Sequence, residues 1–266
     1  MHSTARTLSR ISGAAVLAVL PVMNAHAETS LGLGLGVAPD YIGSNDYAAI
    51  PLPAFSFQVG GKTVKSAGPG VEVNLGSDRG LSFGPVLRYG FGRNDGGKVA
   101  DSVVALTAPV RAAPELGGFV QMAIPIGDPA GGVFGNGRVS VMQGLGNGHQ
   151  GTVVEGSLGV VKIAPSWKFG GGLSATWGSD SYQQAFFDVS AADAAATGLS
   201  PYSADAGLVS VGLSGFASRD LTAQLSLNMF ASVSKLTADA ADSPLVARRG
   251  TEVQAVAGLA LTYRFD

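Results

Sequence analysis

The chain has 266 residues, a net charge of −2 and no cysteine, and only 14% of it is charged against 46% hydrophobic. An ordinary soluble domain carries about 25% charged residues, so a conventional soluble enzyme is disfavoured. Near-neutrality excludes the basic face that nucleic acid demands, and the absent cysteines exclude a disulfide framework.

At the N-terminus Arg6 and Arg10 precede an apolar run, 11–20, that closes on Ala25-His26-Ala27, the small-x-small pattern of signal-peptidase cleavage. The sequence therefore predicts a signal peptide over 1–27 and one mature domain over 28–266. The run is too short to span a bilayer, which takes about 20 apolar residues, and no later stretch is continuously apolar for that length. A charge-poor exported chain without spanning helices points to the other structure lipid permits, a closed barrel whose backbone hydrogen bonds all run between strands.

Alternation of period two supports this, because residues i, i+2 and i+4 of a strand share a face. Strands are predicted at 31–38, 50–59, 64–75 (one strand interrupted by Gly68-Pro69-Gly70), 81–91, 103–111, 118–126, 138–145, 152–161, 168–177, 207–216, 221–233 and 253–265. The last two are the clearest. Leu221, Ala223, Leu225, Leu227 and Met229 alternate with Thr222, Gln224, Ser226 and Asn228, and Val253 through Phe265 alternate with Gln254, Gly258, Thr262 and Arg264. The expected fold is all-β: an antiparallel transmembrane β-barrel of about twelve strands in the outer membrane, in contact with its lipid. Tyr89, Phe91, Trp177, Tyr263 and Phe265, at strand ends, are candidates for the aromatic girdles of such barrels.

Short polar turns are expected at 60–62, 77–80 and 218–220, and longer links at 39–49, 93–101, 127–137, 178–206 and 235–252. With both chain ends in the periplasm, 39–49, 178–206 and 235–252 fall outside the cell, but 93–101 and 127–137 fall on the periplasmic side, where short turns belong. The alanine-rich stretch in 178–206 is read as a short helix on a loop.

Enzyme chemistry finds little support. His149 is the one histidine beyond the predicted leader, which holds His2 and His26, and it sits in Gly146-Asn147-Gly148-His149-Gln150-Gly151, read as a solvated turn without a nucleophile to serve. No metal-ligand spacing occurs; Asp40, Asp46 and Asp78 would meet at a calcium ion only if their loops converged. The glycines from Gly32 to Gly36 lack the helix and acidic partner of a dinucleotide site. No catalytic residue, cofactor or metal is therefore expected. The residues predicted to line the lumen are Glu72, Asn74, Arg88, Glu155, Lys168, Gln224, Asn228, Gln254 and Arg264, of both signs. Two readings stand, a pore lining that sets selectivity and a packed network of paired charges that plugs the lumen.

Three stretches carry a family likeness: Gly32-Leu33-Gly34-Leu35-Gly36 leading to Ala38-Pro39-Asp40-Tyr41-Ile42-Gly43-Ser44; Phe83-Gly84-Pro85-Val86-Leu87-Arg88-Tyr89; and Asp239-Ala240-Ala241-Asp242-Ser243-Pro244-Leu245-Val246 with Leu261-Thr262-Tyr263-Arg264-Phe265. Together they resemble the MipA/OmpV family. In the segment from Tyr182 to Val189, Asp188 stands where the family pattern has glycine. The resemblance implies an outer-membrane barrel and a non-enzymatic scaffold that brings a periplasmic lytic transglycosylase together with a peptidoglycan synthase. Other members are described as porin-like or as adhesins, so a small-solute channel and a surface adhesin acting through 178–206 and 235–252 are the alternatives. Asp239 and Asp242, within the last motif, are expected to shape a loop rather than to catalyse.

Overall fold

The computed structural model describes residues 29–77, 80–96 and 99–265; the predicted leader and Asp78 lie outside them. The chain forms a closed antiparallel barrel in which each of twelve strands pairs with its sequence neighbours and the first pairs with the last. The strands are β1 (Ser30–Pro39), β2 (Tyr47–Val59), β3 (Lys62–Ala67), β4 (Gly70–Asn74), β5 (Leu81–Gly90), β6 (Ala113–Pro125), β7 (Val133–Gly144), β8 (Thr152–Ala164), β9 (Trp167–Gly178), β10 (Gly207–Asp220), β11 (Leu225–Leu236) and β12 (Val253–Arg264).

The alternation read from the sequence is the alternation of faces. In β1, Leu33 and Leu35 are 69% and 70% exposed, while the intervening glycines turn inward. Leu158, Leu173, Leu213 and Leu259 continue this outward apolar band around the ring, as a lipid-facing wall requires. Tyr47, Tyr89 and Trp177 project outward at one end of the strands, and Phe57, Trp167, Tyr263 and Phe265 at the other, so aromatic rings mark both edges of the band.

The inward glycines of β1 let it close against β12, where Gly34 pairs with Ala260. A Cβ at Gly34 would run into the Leu259 carbonyl oxygen and come within 2.6 Å of the Ala260 Cβ. Gly34→Val is therefore expected to abolish ring closure, seen as loss of the fast-migrating folded band in unheated gel electrophoresis. A normal band shift would show that the seam tolerates a side chain.

Two expected elements differ in the structure, and the differences cancel in the count. The segment 64–75 is not one strand but the β3–β4 hairpin, turning at Gly68, which adopts φ 57°. The segment 103–111 is not a strand; Val104–Leu106 forms one 3-10 turn, whose start is held by Asp101 Oδ1 accepting from the N–H groups of Val103 and Val104 at 2.8 Å. This correction removes the conflict over sidedness. The connections 40–46, 91–112, 145–151, 179–206 and 237–252 all leave one end of the barrel. The first and last described residues, Thr29 and Phe265, and the short turns that follow β2, β4, β6, β8 and β10 occupy the other. The predicted long link 127–137 shortens because β7 starts at Val133, leaving a 3-10 turn whose Asp128 side chain accepts from the Ala130 N–H.

The long connections carry helices: α2 (Ala191–Thr197) is the one expected from the alanine-rich stretch, and α1 (Asp180–Phe187), α3 (Ala238–Asp242) and α4 (Pro244–Ala247) have no counterpart in the sequence reading. Helix α2 starts with a full capping box, in which the Ser190 hydroxyl accepts from the Asp193 N–H and the Asp193 carboxylate accepts from the Ser190 N–H, and it ends at Gly198 in the left-handed conformation.

Candidate functional site

Three of the predicted charged residues, Glu72, Arg88 and Glu155, form ion pairs inside the barrel. Arg138 on β7 donates to Glu72 on β4 at 2.8 Å, and Arg88 on β5 donates to Glu155 on β8 at 2.9 Å. Neither pair of strands is adjacent, so these contacts reach each other only through the lumen. Arg88 also grips Glu115 on β6, at 2.6 Å from Nη2 and 2.8 Å from Nε. Glu155 accepts from the Ser140 hydroxyl, and Lys65 Nζ lies 3.3 Å from the fully buried Glu72. The Arg138 guanidinium rests 4.1 Å above the centre of the Phe119 ring, a cation–π contact. Every cation here has an anion, as burial of charge in low dielectric requires.

His149 is not the solvated residue its turn sequence suggested. It is 6% exposed, with Nε2 3.1 Å from Glu115 and Nδ1 accepting from the Gly151 N–H at 3.1 Å. The backbone donor assigns the ring proton to Nε2, which donates to the carboxylate. Tyr182 packs edge-on over the ring, with centroids 5.0 Å apart. These ring-nitrogen partners are a carboxylate and an amide; no nucleophile is among them.

The remaining predicted residues are placed as follows. Asn74 is buried, and its Oδ1 accepts from the Gly76 N–H at the start of a turn. Asn228 donates to the Thr262 hydroxyl across the β11–β12 pair. Lys168 lies on the inward register of β9 near its start. Arg264 binds Asp220 at 3.3 Å and the Ala223 carbonyl at the rim. Gln224 is not on a strand: β11 starts at Leu225, and the Gln224 carbonyl accepts from the Arg264 N–H in the preceding turn. Gln254 ties β12 to the connections above it, accepting from the Gly43 N–H and donating to the Ser44 and Thr251 carbonyls. Sequence reading missed Glu115, Lys65 and Arg138 as lumen charges. Glu115 lies before the predicted strand 118–126, whereas β6 runs from Ala113.

Above the lumen the connections build a cap with its own interior. Tyr182, Phe186, Phe187, Ala204, Leu236, Ala240 and Val246 form one apolar cluster, and Tyr41, Val104, Val189, Leu199 and Leu245 a second. Polar braces join distant connections: Arg249 to Asp101 at 2.6 Å, the Asp40 carboxylate to the Ala100 N–H at 2.8 Å, the Asp193 carboxylate to the Ala108 N–H at 2.7 Å, and the Ser243 hydroxyl to the Phe187 carbonyl at 2.6 Å. The β5–β6 and β11–β12 connections spring from opposite sides of the ring, so the Arg249–Asp101 pair passes over the mouth. Asp239 accepts from the Asp205 N–H, and its own carbonyl accepts from the Tyr202 hydroxyl.

Burial raises the Asp101 carboxyl, but hydrogen bonds from Arg249 and the Val104 and Val103 N–H groups outweigh this and hold it below the ordinary range. Burial likewise opposes ionisation of Asp193, where the Ser190 hydroxyl and the Ala108 N–H prevail. Arg93, 4% exposed and donating to the Phe186 carbonyl, is pushed down by burial to about 10.

Solved structures similar to this chain include an outer-membrane channel of Pseudomonas putida F1, at 12% identity over 91% of this chain and 97% of that one, with a TM-score of 0.45. The Ralstonia pickettii toluene transporter TbuX is similar at 11% identity over 91% and 90%, with a TM-score of 0.40. A Pseudomonas aeruginosa FadL homologue is similar at 10% identity over 90% and 91%, also with a TM-score of 0.40. Likenesses this distant carry no conclusion about a solute. A search of curated protein sequences finds no significant match. The family model described as MltA-interacting protein MipA matches residues 31–265, which takes in all twelve strands and the cap but for the first residue of β1; the chain belongs to the MipA family.

Proposed function

We propose that this outer-membrane barrel is a non-enzymatic scaffold that holds periplasmic cell-wall enzymes, a lytic transglycosylase and a peptidoglycan synthase, at the membrane. The observation that carries this reading is the bracing of the lumen. Charge pairs cross it from β4 to β7 and from β5 to β8, and a folded cap bridges its mouth. Such an arrangement favours a rigid body over a wide conduit, because a selective pore needs lining groups free to exchange with the passing solute. The family description, which names an interaction with MltA, points the same way.

The rim available to periplasmic partners is the end with Thr29, Phe265 and the short turns, since periplasmic turns are short in barrels of this kind. It presents Lys62, Lys162 and Arg219 with Asp128 and Asp220 among its described residues. Affinity capture of the tagged barrel from cross-linked envelopes is expected to enrich a lytic transglycosylase or a peptidoglycan synthase over an unrelated barrel. Equal recovery from both would sink the scaffold reading. Steady conductance in planar bilayers, altered by charge reversal at Arg88 or Lys168, would then favour the small-solute channel.

A further inference from the structure

The barrel wall is not of even height. Strand β2 has 13 residues, but only its last four, 56–59, pair with β3. The β3–β4 hairpin turns back at Gly68, its strands being six and five residues long. Below that turn the hairpin fills the space between β2 and β5, three strand spacings or about 14 Å; above it no strand does. The Phe55 N–H donates to the Ser66 hydroxyl at 3.1 Å, so the odd-numbered residues of β2 turn their backbone groups to this side, and a side chain ends the ladder. Over 47–53 this edge makes no backbone hydrogen bond to a described residue. Segment 99–107 passes above it, with the Ala100 N–H donating to Asp40 and Val104 packed against Tyr41. The β2 edge, the hairpin turn, the end of β5 and this segment thus frame a window in the wall.

We infer that the window is a binding site for an acyl chain of an outer-leaflet lipid, which enters sideways and lies against the inner face of β2. Its depth selects that occupant. Pro51 and Pro53 pair with Leu35 and Leu33, which are 70% and 69% exposed within the lipid-facing band, so the window continues the surface that already meets hydrocarbon. An open sheet edge at that depth strands its N–H groups, and proline on an edge removes them. Of the edge-facing positions 49, 51 and 53, only Ala49 keeps an N–H. The carbonyls that remain tolerate partial satisfaction better than N–H groups do. The same prolines deny a partner strand the donors it would need. Behind the edge the wall is apolar: Ala38, Ile50 and Val256 form a buried cluster, with Leu52 and Phe230 packed against it. Gly258 makes the room for this, since a Cβ there would come within 2.6 Å of both Leu52 Cδ1 and Phe230 Cε1. Lys65 and Glu72, on the hairpin, are paired with each other, so neither offers a free charge to draw water in.

The test places single tryptophans in the full barrel carrying Trp167→Phe/Trp177→Phe, in vesicles of phosphatidylcholine brominated along its acyl chains, which quench an indole only at close approach. Leu52→Trp is expected to lose as much fluorescence as the lipid-facing Leu33→Trp. Ser174→Trp, inward on a strand paired along both edges, is expected to keep most of its emission. Phe230→Trp, a milder change in the same apolar cluster, is expected to be quenched well above Ser174→Trp and carries the test if Leu52→Trp does not give the folded gel band. Quenching at positions 52 and 230 no greater than at 174 overturns the inference. So does quenching of Leu52→Trp by aqueous iodide in place of bromolipid, which would put water in the window.

Discussion

Arg88→Met is expected to destabilise the folded barrel by about 3–5 kcal/mol, the range for removing one partner of a buried ion pair. Arg88 holds two carboxylates at once, Glu115 and Glu155, both on the inner wall. Methionine fills much the same space, so the loss reflects two carboxylates left without a cation rather than a cavity. Urea unfolding in lipid vesicles, followed by the fluorescence of Trp167 and Trp177, reads the change. Arg88→Met/Glu115→Gln/Glu155→Gln is expected to recover most of it, because removing all members of a buried network is far less costly than removing one. A single variant as stable as the wild type would mean that the pairs do not brace the lumen, and the scaffold reading would lose the observation it rests on.

Phe187→Ala is expected to remove about 3–5 kcal/mol from the cap and little from the barrel. Its ring is fully buried among Tyr182, Phe186 and Val246, and a buried Phe→Ala change loses that much through lost burial and the cavity left behind. The damage should stay local, since Phe187 belongs to α1 and meets none of the lumen ion pairs. Limited proteolysis is expected to cut within 179–206 and 237–252 in the variant but not in the wild type, while the folded gel band of the barrel is kept. Leu173→Ala, on the lipid-facing wall, should change neither. If both cap segments of Phe187→Ala resist protease as the wild type does, the cap is not held by this cluster.

The wall of the barrel was legible because a strand with one face in lipid writes period-two alternation directly into the chain, as in β1 and β12. The cap was not, because its stability comes from contacts between segments far apart in sequence. Asp40 and Ala100, or Asp193 and Ala108, carry no local signal of their pairing. Segment 103–111 misled for a related reason: its apolar residues alternate by chance over a few positions, whereas in the structure Val103 and Val104 pack with the Tyr41 cluster and Val110 with the Tyr182 cluster. His149 misled through its glycine-rich surroundings, which do make a turn, but one tucked beneath Tyr182. Of the lumen, Glu72, Arg88 and Glu155 were found from strand register alone. Their partners Glu115 and Arg138 lay at or beyond the truncated ends of predicted strands, where alternation is too short to read.

The Arg249–Asp101 pair also has a kinetic meaning. Its residues are separated by 148 positions, and such long-range contacts form late, because the entropy of closing a long loop must be met before the contact gives anything back. No single hairpin can assemble its share of the cap; the segments 91–112 and 237–252 come together only once the ring between them exists. Ordering of the cap is therefore a natural clock for barrel biogenesis. Protease resistance of 237–252 should appear only after strands β6 to β11, which separate the two segments, have paired, and it would mark a late step in the maturation of the inserted chain.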